Sequence, residues 1–283
     1  DREVGRPPRW FVGGLVAVTA AYLVAWRAVS ESTVTYVAAP LVGATAAGRV
    51  TVALSAVWRA ATVLVWPRAL SADYGPQVIA VPAEFTPVLG GCAVIALVIA
   101  TVWRYRRRAP HLAWGTAAAA LVYFPTSNLA FASGVVLAER ILYVAVVVPA
   151  VLLGMLVARV DRLAGRKAAL VLTAVVVGAL IVRAAVRLPA WRSNRAFLVT
   201  LLAEHPESAH AHFWAAGVYA AIGDTAGARA SFDRAVALFD RDPDVLGVAA
   251  SFYLDQGDSV RAAALAATAR RIRPRQKDAL DVQ

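Results

Sequence analysis

The sequence predicts an all-α protein: a polytopic membrane helix bundle of about five spans plus one re-entrant or surface helix, followed by an α-solenoid tail. Three observations carry this reading. Of 283 residues, 60% are hydrophobic and 17% charged, with a mean hydropathy of +0.61, too apolar for a chain that meets water on every side. Apolar runs near the roughly 20 residues that a helix needs to cross about 30 Å of hydrocarbon recur along the first two thirds. The last part instead repeats itself at an offset of 34 residues.

Charge narrows the partners. Lysine and arginine outnumber aspartate and glutamate 29 to 18, a net charge of +11 and a pI near 10.6. Such a balance fits nucleic acid, but the cations gather at the ends of apolar runs, as in Arg104, Arg106, Arg107 and Arg108, or Arg159, Arg162, Arg166 and Lys167. That is where cytoplasmic loops of membrane proteins hold positive charge, so the expected partner is the lipid bilayer and not nucleic acid. Cys92 is the single cysteine and lies in an apolar run, where it reads as a small packing residue with no disulfide or cysteine metal cluster to join. The chain starts at Asp1 and its one methionine is Met155, so the expectation is the C-terminal part of a longer protein. No signal peptide is visible, because the first apolar run is long enough to span and lacks a small-residue cleavage pattern.

Five segments are predicted to span: residues 10–29, 85–103, 112–124, 141–158 and 168–186, the third short and closed by Pro125. With the arginine-rich loops after Trp103 and Ala158 in the cytoplasm, segments 67–84 and 125–140 and the tail after Arg187 lie outside. Arg2, Arg6 and Arg9 assign the first residues to the cytoplasm, so the first span also exits. Both ends of a sixth apolar run, 50–66, then lie on the outer side, which makes it a re-entrant or surface-lying helix. Arg59 at its centre agrees, since an arginine at mid-bilayer costs at least about 2.5 kcal/mol, whereas at the headgroups its stem is buried and its guanidinium stays wet. The expected location is a plasma membrane with the tail on its outer face. The composition, rich in alanine, valine and arginine, points to a bacterial source.

In the tail, Tyr219, Gly223, Asp224, Ala228 and Ala235 return as Tyr253, Gly257, Asp258, Ala262 and Ala269, the period of tetratricopeptide (TPR) repeats. Alanines let two antiparallel helices approach closely, and Gly-Asp makes the turn between them. Pro206 and Pro274 stand two periods apart, with Asp240 in the slot between. The repeats are expected over 209–242 and 243–276, preceded by a packing helix over 191–204. This divides the chain into a membrane domain, 1–188, and a repeat domain, 189–283. So short an array is expected to lean on the membrane part for stability.

Two stretches, LVWPRALSADYG at 64–75 and FPTSNLAFASGVVLAERILYV at 124–144, resemble the C-terminal half of the transmembrane and tetratricopeptide-repeat-containing O-mannosyltransferases. The order of parts matches as well, and the likeness runs from about Ala39 to the end. It implies a C-type (GT-C) glycosyltransferase fold, with a polyprenyl-phosphate-linked sugar as donor and a membrane-surface helix in an outward loop. In that family the catalytic acidic residues sit in the first outward loop of the complete protein. No such motif occurs here, and Glu31 in SESTVTY is a poor substitute. The resemblance therefore implies a catalytic carboxylate upstream of Asp1, and a chain inactive when alone.

Chemistry of this class needs a carboxylate near the acceptor hydroxyl or a metal, and a cation for the leaving phosphate. Arg140, at the outer end of a span, is the candidate for donor-phosphate binding, because guanidinium takes phosphate in bidentate fashion; the other reading is an interfacial anchor paired with Glu139. Tyr143 shares roughly the helix face of Arg140 and borders the same site or anchors the interface. Asp73 and Tyr74, with Arg68 just before them, face donor or acceptor, or else simply end a helix in the turn SADYGP. Ser127 and Asn128 bond sugar hydroxyls, or else satisfy backbone groups where a helix stops. His205, His210 and His212 beside Glu204 invite a metal, but residues two apart on a helix diverge, and no metal is assigned. No cofactor is evident, and a divalent cation has no support from the residues. No glycine-rich phosphate loop, HExxH or nucleophile elbow occurs, which leaves a soluble nucleotide-sugar mechanism without support.

The expected function is transfer of a sugar, by resemblance mannose, from a polyprenyl phosphate to a protein hydroxyl, the tail offering a concave surface to the acceptor. The rival is a non-catalytic membrane-anchored TPR scaffold that recruits a protein partner. A transporter ranks below both, since few internal charges mark a pathway.

Overall fold

The computed structural model describes residues 37–273 apart from 68, 69, 72, 81 and 82, together with eight helical residues between 13 and 25. The chain divides into two compact units, Asp1–Tyr36 and Val37–Gln283. Most of the predicted span 10–29 lies outside the described residues, as do Arg2, Arg6, Arg9, Glu31, Arg68 and Pro274. The second unit holds the tail and every site candidate among the described residues.

All regular structure in that unit is helical, with no strand among the described residues. Helix α1 (Ala46–Val65) begins where the Thr45 hydroxyl accepts the Gly48 N–H at 3.1 Å, and stops before Pro67, which cannot continue the ladder. One face of α1 is buried, through Val52, Ala53, Ser55, Ala56, Val57 and Ala60. It joins Leu41, Tyr74, Ile79, Val136, Leu137 and Leu142 in one apolar cluster, so the loops on either side of α2 and α3 fold back over this helix.

Helix α2 (Phe85–Tyr105) crosses α1 at two glycines. A Cβ on Gly91 would stand 2.1 Å from the Leu54 carbonyl oxygen, and one on Gly90 2.5 Å from the Trp58 ring; no side chain larger than hydrogen fits the first position. After the arginine-rich turn, Pro110 opens α3 (Pro110–Tyr123) at a position where its missing N–H costs nothing. Pro125 closes α3 through the 3-10 turn Phe124–Thr126. A second 3-10 turn, Glu139–Tyr143, leads into α4 (Val147–Ala164), and Gly165 at φ 83° links it to α5 (Arg166–Arg187).

Among the described residues, three helices are long and apolar enough to cross a membrane: Ala46–Val65, Phe85–Tyr105 and the helical run Arg166–Trp191. They differ in surroundings, because only Gly91 of α2 and only Ala169 of α5 are buried, against six residues of α1. The segment predicted as a span over 141–158 starts its α-helix six residues later, at Val147, and takes in Arg159, Asp161 and Arg162. Its first residues are diverted because Leu142 is buried in the cluster around α1 and Glu139 is bonded to the 71–74 loop.

The tail comprises α6 (Asn194–Glu204), α7 (Ala209–Ala221), α8 (Thr225–Leu238), α9 (Pro243–Asp255) and α10 (Ser259–Ile272). Helices α7 and α8 pack as one hairpin, α9 and α10 as another. The recurring residues make the recurring turn. Gly223 and Gly257 take φ of 80° and 79°, the N–H groups of Asp224 and Asp258 donate to the carbonyls of Tyr219 and Tyr253 at 2.9 Å, and the two carboxylates cap α8 and α10. Ala228, Ala235, Ala262 and Ala269 are buried between the paired helices. The predicted packing helix begins at Asn194, behind a Ser193 cap, and 188–191 forms a 3-10 turn instead. Both sides of the boundary at 188/189 lie within the unit Val37–Gln283.

Candidate functional site

The loop between α1 and α2 is where the tail meets the rest of the unit. Asp73 Oδ2 lies 2.9 Å from His210 Nδ1, and Asp242 Oδ2 lies 2.9 Å from His210 Nε2. Two carboxylate acceptors demand two N–H donors, so the ring is an imidazolium. Burial opposes its charge, but the hydrogen bonds to Asp242 and Asp73 and their negative charges outweigh it and raise the His210 pKa to about 10. Burial likewise opposes ionisation of Asp242, yet His210 and the N–H groups of Val245 and Asp244 hold its carboxyl below the ordinary range. Asp242 also caps α9 through those two N–H groups. Beside this bridge, Gln77 donates to the Leu238 carbonyl at 3.0 Å and accepts the Ala209 N–H at 3.1 Å.

Asp73, read from sequence as a site-lining residue, therefore ties the loop to the tail. Each carboxylate of the bridge meets a different edge of the ring, and His212 turns away to the Pro206 carbonyl at 2.9 Å. Among the described residues no group of three or more His, Cys, Asp or Glu gathers to hold a metal ion.

Glu139 Oε1 accepts both the Ser71 N–H and the Tyr74 hydroxyl at 3.0 Å. Tyr74 is buried, and burial together with the Glu139 charge pushes its phenol far above the ordinary value. Glu139 thus faces inward to Tyr74. Arg140, next in the 3-10 turn, is exposed and makes no hydrogen bond or ion pair with the described residues. Tyr143 is exposed as well.

Ser127 and Asn128 are both buried. Ser127 donates to the Phe124 carbonyl at 2.7 Å. Asn128 sits at φ 62°; its amide donates to the carbonyls of Thr126 and Val135, its Oδ1 accepts the Ser133 N–H at 2.7 Å, and its carbonyl accepts Arg49 Nη1 at 2.6 Å. Both side chains close the 124–136 loop on itself, the backbone-satisfying alternative of the two readings.

Sequence reasoning did not assemble a cleft of about 360 Å³ between α1, segment 77–80 and the start of α2, lined by Ser55, Trp58, Arg59, Thr62, Gln77 and Glu84 among others. The Arg59 guanidinium also lies over the Tyr74 ring, 5.9 Å from its centroid. Glu84 is exposed at the N-terminus of α2, where a carboxylate is favoured by the helix dipole. A cation, a carboxylate and a half-open indole face in one cleft suit an anionic, hydroxyl-bearing ligand. One signal was present in the sequence: Glu84 is the sole acidic residue between Asp73 and Glu139. Comparison of the chain with family models, curated proteins and solved structures finds no match.

Proposed function

We propose that this chain is the C-terminal part of a membrane glycosyltransferase that moves a sugar, by the sequence resemblance mannose, from a polyprenyl phosphate to a protein hydroxyl. The observation that carries the reading is the polar layer around α1: the cleft with Arg59 and Glu84, and the exposed Arg140 on a turn held by Glu139. A lipid-linked phosphate needs a cation at the end of the apolar helices, and a sugar needs an aromatic face with hydroxyl and carboxylate partners. Burial of one face of α1 beneath its own loops supports a surface-lying α1 within a five-span topology, since α2 and α5 lack such a cover. The two hairpins with the Tyr-x3-Gly-Asp turn support a TPR tail, and the arginine-rich loops are the ground for putting it on the outer face, next to the acceptor. The catalytic carboxylate is assigned to sequence outside these residues.

Arg140→Ala in the complete protein, assayed for transfer from a lipid-linked donor, lowers the rate by about 10²-fold, the usual cost of losing a charged transition-state contact. Unchanged transfer with the fold intact rejects the role. One observation favours the rival, a membrane-anchored TPR scaffold: Asp73, Ser127 and Asn128 are all engaged in internal bonds. An outward acidic pair in upstream sequence favours the enzyme, and its absence the scaffold.

A further inference from the structure

The turn between α2 and α3 carries Arg104, Arg106, Arg107 and Arg108, all exposed. No aspartate or glutamate occurs between Glu84 and Glu139, and no ion pair joins these arginines to the described residues. Beside this positive cluster runs an apolar groove of about 410 Å³, walled by Val98, Ile99 and Val102 of α2 and by Ala117 and Ala120 of α3, with Trp103 and Arg106 at its arginine-rich end. The groove exists because α3 presents alanines where a larger side chain would fill the space. Arg106 is fixed in place: its guanidinium carbon lies 3.7 Å from the Trp103 ring centroid, and Nη1 donates to the Trp103 carbonyl at 3.3 Å. A guanidinium stacked on an indole keeps an edge for a phosphate. Along α2, Val98 to Arg106 covers about 12 Å, room for part of an acyl chain against apolar walls.

We infer that this groove binds an anionic phospholipid of the bilayer, with one acyl chain between α2 and α3 and the phosphate at Arg106. Arg107 and Arg108 add long-range attraction, which a zwitterionic headgroup does not return. The inference rests on the membrane reading of α2 and is independent of any sugar transfer.

The test is native mass spectrometry of the detergent-solubilised full chain, titrated with phosphatidylglycerol or phosphatidylcholine of identical acyl chains. The wild type retains phosphatidylglycerol about tenfold more tightly, equivalent to about 1.4 kcal/mol. Arg106→Ala lowers the preference to the share that Arg107 and Arg108 supply, and Ala117→Phe, which fills the groove without altering charge, weakens both lipids. Ala120→Leu, a milder filling, repeats that loss, with helical circular dichroism checking the fold of each variant. Equal retention of the two lipids by the wild type, a preference undiminished by Arg106→Ala, or retention unaffected by both groove-filling variants overturns the site. Displacement of the lipid by equimolar glycerol 3-phosphate also overturns it, since the phosphate alone is then the ligand. A chain that stays monodisperse in buffer without detergent refutes the membrane reading itself; one that needs detergent yet shows no lipid preference refutes only this inference.

Discussion

Replacing His210 with alanine removes the imidazolium from between two carboxylates. The Asp242 side chain, 4% exposed, keeps only the Asp244 and Val245 N–H groups, and stripping one partner from a buried ion pair costs about 3–5 kcal/mol. The proton balance gives a similar size. His210 titrates near 10 instead of 6.5, and at about 1.4 kcal/mol per unit the bridge contributes at most about 5 kcal/mol. The sign follows from the direction of the shift: a raised histidine stabilises fully below its unfolded pKa of about 6.5 and loses that contribution as pH rises through about 10. Asp242 is shifted the other way, so its share of the same bridge is present above the ordinary carboxylate range and lost as pH falls into acid. Between about pH 6.5 and 9 the wild type therefore loses about 3 kcal/mol of unfolding free energy, a slope that His210→Ala lacks. Denaturant unfolding of the full chain in mild detergent at the two pH values measures both quantities. Parallel pH profiles for the two proteins would refute the reasoning.

Gly91→Ala sets a methyl 2.1 Å from the Leu54 carbonyl oxygen, so α1 and α2 must part; a loss of about 1–3 kcal/mol, with a lower Tm, is expected. Gly154→Ala, where nothing lies within 4 Å, stays neutral or stabilises by up to about 1 kcal/mol in the same melt. At Asn128, glycine keeps the positive φ but loses the side-chain bonds, whereas aspartate aims a carboxylate at the carbonyls of Thr126 and Val135. Asn128→Gly should cost about 1–3 kcal/mol and Asn128→Asp more, an order that protease sensitivity of the 124–136 loop reads directly.

What the sequence disclosed divides by the range of the interactions. The turns at Gly223-Asp224 and Gly257-Asp258 were legible because the glycine φ, the aspartate cap and the alanine contacts lie within one hairpin. The limits of α2 and α5 followed from apolar length and flanking arginines. The start of α4 was missed because it depends on Glu139 reaching Ser71, 68 residues away. Asp73 was recognised as a residue with a task, but its partner His210 stands 137 positions later, beyond any local pattern. Pairing of Arg140 with Glu139, one of the two readings, fails for the same reason, since the carboxylate is claimed by Tyr74.

Gln77 belongs to two places at once: it forms part of the wall of the α1–α2 cleft, and its amide grips Leu238 and Ala209. Four residues earlier in the same loop, Asp73 grips His210. The loop 73–80 therefore joins the cleft wall to the first hairpin through three hydrogen bonds. Were a cleft ligand to favour the docked placement of Gln77, linkage would require the docked tail to favour that ligand by the same free energy.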